Sequence, residues 1–135
     1  MKLFKYLSKL IAFALTLFFF HASSQIKITD KLIGTWEGID SAQERGSIVF
    51  KSDSIMLLVL SPTETIECKF QIDTNKSPMY FDIIVEEDGE IRTMESLVLF
   101  VNNDTIKWEI FFDRARTPNF TAEASADIVL LQRKK

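Results

Sequence analysis

Eight consecutive residues, Thr65-Ile66-Glu67-Cys68-Lys69-Phe70-Gln71-Ile72, alternate polar and apolar without a fault. Side chains of an extended strand point to opposite faces in turn. The pattern therefore predicts a half-buried antiparallel strand with Ile66, Cys68, Phe70 and Ile72 inward. The same period recurs in Thr105 to Phe112, which places Ile106, Trp108, Ile110 and Phe112 inward. It recurs again from Met79 to Val85, with Met79, Phe81, Ile83 and Val85 on one face and Tyr80, Asp82 and Ile84 on the other. Three such segments have to share one buried side of a sheet. The chain reads as all-β.

Five further segments complete the count. Ile33 to Asp40 is the first strand; alternation puts Gly34, Trp36 and Gly38 on one face, where neighbouring backbone leaves no room for a Cβ beside the large ring. Ser41 to Gly46 reads as a connection and Ser47 to Lys51 as a strand. Ile55 to Leu60 is an apolar run too short for most helices. Ser96 to Val101 and Asp127 to Arg133 are the last two, and Glu86-Glu87-Asp88-Gly89-Glu90 is a hairpin loop with Asp-Gly at its tip. The longest loop, Asp113 to Ser125, reaches far enough to fold over a barrel mouth. Short connections require antiparallel neighbours, so eight strands close into an up-and-down barrel or split into a sandwich. Closure removes exposed edges and is the expected solution.

The strands occupy the part of the chain after an N-terminal leader. Lys2, Lys5 and Lys9 precede an apolar block from Leu10 to Phe20, and Ala22-Ser23-Ser24 supplies small residues before Gln25. This is the order of a cleaved signal peptide over residues 1–24, and the block falls short of the roughly 20 residues that a membrane anchor needs. Residues 25–135 then form one domain, exported to the periplasm or beyond the cell. Cleavage reduces 135 residues to 111 and leaves 13 basic against 19 acidic side chains, a net charge of −6. That balance speaks against nucleic acid as a partner.

The first strand also carries a resemblance. Gly34-Thr35-Trp36 resembles the Gly-x-Trp signature of lipocalins and other calycins, in which an arginine near the end of the last strand packs over the tryptophan. Leu130-Leu131-Gln132-Arg133 puts Arg133 in that place. More closely, the chain is similar to small bacterial secreted lipocalin-like proteins of unassigned function. Leu32-Ile33-Gly34-Thr35-Trp36, Lys76-Ser77-Pro78 with Asp82, Asn103-Asp104-Thr105-Ile106 and Arg116-Thr117-Pro118-Asn119-Phe120 stand where that family has its motifs. Asn103 replaces a glycine of the family pattern and Thr117 interrupts its Arg-Pro pair. The resemblance implies an eight-stranded lipocalin-like barrel, with Gly34, Trp36 and Arg133 as its structural floor.

Candidate chemistry is sparse. His21, the only histidine, leaves with the leader, so no Ser-His-Asp triad, Cys-His pair or His-Cys zinc site can be built. Cys68, on the apolar face, reads as core. The acidic residues of 86–90 lack the alternation of a calcium loop and read as a solvated tip. A hydrolase working with carboxylates alone finds no paired acids to use. No catalytic residue, metal or cofactor is expected. Asn103-Asp104-Thr105 and Asn119-Phe120-Thr121 match a glycosylation acceptor pattern too short to carry weight. Two readings remain. The first is a non-enzymatic carrier of a small hydrophobic or amphipathic molecule, contacted by Phe70, Phe81 and Trp108 inside and by Tyr80, Asp82 and Arg116 near the loops. The second is a filled-core module, an inhibitor or a subunit of an envelope-protein complex, that recognises another protein through its loops. Asp82 and Arg116 have a plainer role available, a salt bridge tying loop to wall. An interior cavity of about 300 Å³ or more favours the carrier, and a packed interior the module.

Overall fold

The computed structural model describes residues 26–39, 45–121 and 128–135. The leader, the connection after the first strand and the end of the longest loop lie outside the described residues. Eight strands follow one another around a closed antiparallel barrel: β1 (Gly34–Ile39), β2 (Arg45–Phe50), β3 (Ile55–Ser61), β4 (Glu64–Asp73), β5 (Met79–Glu87), β6 (Glu90–Asn102), β7 (Thr105–Phe111) and β8 (Ile128–Arg133). Closure is made by β1 against β8, with Trp36 opposite Arg133 and Gly38 opposite Leu131. A sandwich is thereby excluded.

The registers set which side chains share the interior. Phe70 faces Ile83, Ile72 faces Phe81, Val98 faces Trp108 and Ile106 faces Leu131 across neighbouring strands. These inward rows supply a continuous core that includes Trp36, Phe50, Met56, Cys68, Phe70, Phe81, Ile83 and Trp108. The alternation read from β4, β5 and β7 holds for those residues, with one correction. Phe112 lies just past the end of β7 and is 62% exposed, so it sits on the lip of the barrel and not inside it.

Two boundaries differ from the pattern in the sequence. β6 extends back to Glu90, because the Asp-Gly tip makes a tight turn with Asp88 and Gly89 both at positive φ (52° and 78°). The two arms can then pair from Glu87 opposite Glu90 onward. The stretch before β1, read as a polar approach, contains a one-turn helix, α1 (Ile28–Leu32). Its Ile28 and Leu32, four residues apart, share a face that packs on the core, and Leu32 is fully buried.

Candidate functional site

The barrel has a closed base, and among the described residues no element crosses its other end, the mouth. At the base, Trp36 Nε1 donates to the carbonyl of Leu32 at 2.7 Å, which fixes α1 across the barrel end. The Arg133 guanidinium lies 4.2 Å from the Trp36 ring centre. From there Nη1 donates to Ile33 O at 2.9 Å and Nη2 to Lys31 O at 2.6 Å, while Nε stands 3.3 Å from the Asp104 carboxylate. A cation on a ring face adds about 0.5–2 kcal/mol. Here the same group also satisfies the carbonyls that a short helix leaves exposed at its C-terminal end. Gly34, Trp36 and Arg133 therefore meet, and their contacts are internal to the base. The glycines are needed for two separate reasons. Gly34 has φ +119°, while a Cβ on Gly38 would come within 2.6 Å of Leu131 Cδ2. The crowding at Gly38 comes first from a facing side chain, and the nearest backbone atom, Leu130 O, stands at 3.3 Å.

Above the base the interior is packed with rings. Phe70 and Phe81 stack at 5.0 Å, Phe81 meets Trp108 edge-on at 4.9 Å, and Phe50 meets Phe70 edge-on at 5.3 Å. Such pairs add about 0.5–1.5 kcal/mol each beyond the area they bury. Phe70, Phe81 and Trp108 thus touch one another in mid-barrel. Cys68 is buried in the same core; burial, and then the nearby Glu67, push its thiol above the ordinary value. A protonated, shielded thiol is a poor nucleophile. Trp108 Nε1 is buried and has no acceptor among the described residues. A buried donor left unpaired costs about 1–3 kcal/mol.

Toward the mouth the inward rows end in Ile48, Leu58, Ile66, Val85, Met94, Ile110 and Val129, all half-buried and all apolar. Among the described residues no element crosses this end. Two external grooves are of a different kind. One of about 730 Å³ lies along the outside of β8, β1, β2 and β3, lined by Glu37, Ser47, Val59, Leu130 and Gln132. The other, about 590 Å³, lies beside α1 and Ile72.

The described part of the long loop, residues 113–121, runs along the outer wall. Asp82 and Glu95 are paired on β5 and β6, both facing out. Arg116 Nη1 donates to Asp82 at 2.6 Å and to Ser96 O at 3.3 Å, its Nη2 is 3.5 Å from Glu95, and its guanidinium lies 4.1 Å from the Tyr80 ring centre. Tyr80, Asp82 and Arg116 are thus brought together away from the interior, in a clamp that ties loop to wall. A second anchor sits one strand along. Glu109 is fully buried on the outer face of β7, where it accepts from the backbone and hydroxyl of Thr121 and from Arg114 at 2.8 Å. Burial by itself would raise its carboxyl pKa, but the hydrogen bonds from Thr121 and Arg114 outweigh it and hold the group below the ordinary value. Beneath the loop, the outward-facing Leu97 and Phe111 are buried as well.

Glu109, Leu97 and Phe111 were not singled out by alternation, which assigns them to the solvent side. The available signal was the apolar excess there, with Leu97, Leu99 and Phe111 all on the nominally polar face. Among the described residues no group of three His, Cys, Asp or Glu side chains could hold a metal ion. Compared with known proteins, the chain matches no family model, no curated protein and no solved structure.

Proposed function

We propose that this is an exported, lipocalin-like, non-enzymatic binding protein that takes the apolar part of a small hydrophobic or amphipathic molecule through the mouth of its barrel. The observation that carries the reading is the asymmetry of the two ends. The base is closed by α1, Trp36 and Arg133, whereas the mouth presents seven half-buried, inward-facing aliphatic or thioether side chains. Apolar side chains left partly wet at a concave end gain by being covered, at about 25 cal/mol per Å². The Gly34-x-Trp36 pattern and the terminal arginine support the lipocalin-like assignment, and the leader in residues 1–24 supports export. A thermal-shift screen with alkanes, alcohols, ketones and fatty acids tests the reading: at least one class raises the melting temperature, and a flat response across the panel rejects it.

A second reading is the one that the cavity criterion favours, because rings pack the mid-barrel. Phe50, Phe70, Phe81 and Trp108 fill the section where a deep carrier would hold its ligand. On that reading the barrel is a filled-core module for another envelope protein, engaged through the mouth loops. Retention of a protein and no small molecule by the natively purified chain would decide for it.

A further inference from the structure

We infer that the barrel selects uncharged apolar molecules bearing one hydrogen-bond acceptor, a ketone or ester oxygen, and that Trp108 Nε1 is the donor that meets it. The inference rests on the ligand reading above and names the class of molecule.

Three observations carry it. Trp108 is 1% exposed, and its indole N–H has no acceptor among the described residues. Among the described residues, other polar groups set in the barrel interior are already engaged. Trp36 donates to Leu32 O, the Ser96 hydroxyl to Phe81 O at 2.6 Å, and Arg133 to the carbonyls of the base. The indole is therefore the inward donor still to be matched.

The second observation is its position. Val129 lies directly opposite Trp108 on β8, and Ile110 is the next inward residue on β7 toward the mouth. Both belong to the half-buried apolar ring. A guest that enters the ring between Val129 and Ile110 thus approaches the strand position that carries the indole.

The third is charge. Arg92, opposite Val85 at the outer end of the inward row of β6, is exposed, and a carboxylate taken deeper into the apolar interior loses its hydration without compensation. The mouth hairpin adds Glu86, Glu87, Asp88 and Glu90, with Arg92 held 3.7 Å from Glu90. An anionic head is thus opposed inside by lost hydration and at the rim by the acidic excess of four carboxylates over one guanidinium. The acceptor has to be neutral.

Matched eight-carbon probes test this on the whole domain: octane, 2-octanone and octanoate, titrated by tryptophan fluorescence and by amide-region NMR. Measured against octane as reference, 2-octanone binds the wild type about three- to ten-fold tighter than it binds Trp108→Phe, as one hydrogen bond in a dry site provides, and octanoate binds weakest. The two indoles give an internal control. The Trp108 indole proton shifts with 2-octanone and not with octane, whereas the Trp36 indole, already bonded to Leu32, stays in place. Trp108→Phe therefore lowers the ketone-to-alkane affinity ratio by that factor while octane still binds; if that variant does not fold, the two-indole measurement decides alone. An unchanged ketone-to-alkane ratio in Trp108→Phe, a preference for octanoate, or a shift confined to Trp36 overturns the inference and leaves the ligand reading standing. Failure of all three probes to bind overturns both.

Discussion

The two ends of this barrel solve opposite problems. At the base, α1, Trp36 and Arg133 close the sheet, and polar groups brought into it are matched: an indole to a carbonyl, a guanidinium to two carbonyls and a carboxylate. At the mouth, the same inward rows end in aliphatic side chains with no described element across them. A single alternating pattern thus yields a matched, closed base at one end and a half-buried apolar ring at the other. Alternation sets the facing of side chains, and what lies past the strand ends sets whether they stay wet.

The difference can be tested by perturbing each end. Trp36→Ala removes the ring that α1 and Arg133 rest on, and should cost about 3–5 kcal/mol in urea unfolding; a loss below 1 kcal/mol would mean the base does not depend on it. Arg133→Met keeps the aliphatic stem but loses the ring contact and the carbonyl bonds, so about 2 kcal/mol is expected. Faster amide exchange in α1 should accompany it.

Outside the barrel, Arg116→Met should cost about 1–2 kcal/mol, because it leaves Asp82 and Glu95 side by side without their cation. Exchange and proteolysis should rise in residues 113–121 and stay unchanged in β1 and β8. Acid tests the second anchor of the same loop. The folded Glu109 carboxyl titrates below its ordinary value of 4.5. Its contribution is therefore complete above that pH and is lost as the pH falls through the lowered folded value. Loop exchange should increase in that window, and Glu109→Gln should flatten the dependence. The smallest effect belongs to the lip: Phe112→Ser should change stability by no more than about 0.5 kcal/mol, while weakening any apolar ligand that raises the wild-type melting temperature. A large loss of stability there would mean the mouth is packed like the base.

Much of the barrel was legible in the sequence because β4, β5 and β7 each carry one dry and one wet face. The base was legible in part, since Trp36 and Arg133 occupy partner positions on the two strands that close the sheet. Helix α1 was not, because only Ile28 and Leu32 mark its buried face within five residues. Phe112 was misplaced for a related reason: period two continues past the last paired residue, while the wall it would face does not. The outer clamp was the least readable feature. Arg116 and Asp82 are 34 positions apart, and their meeting depends on a loop turning down the wall. Glu109 looks like any surface glutamate until Thr121 and Arg114 reach it.

Both the first described residues and the last strand lie at the base: Lys134 N bonds Thr35 O at 2.8 Å, close to where α1 enters β1. A handle attached near Ile26 or after Lys135, whether a surface, a dye or a fused protein, would sit under the floor. The half-buried apolar ring at the other end would point away from the mount, so immobilised protein presents that end to the solution for titration.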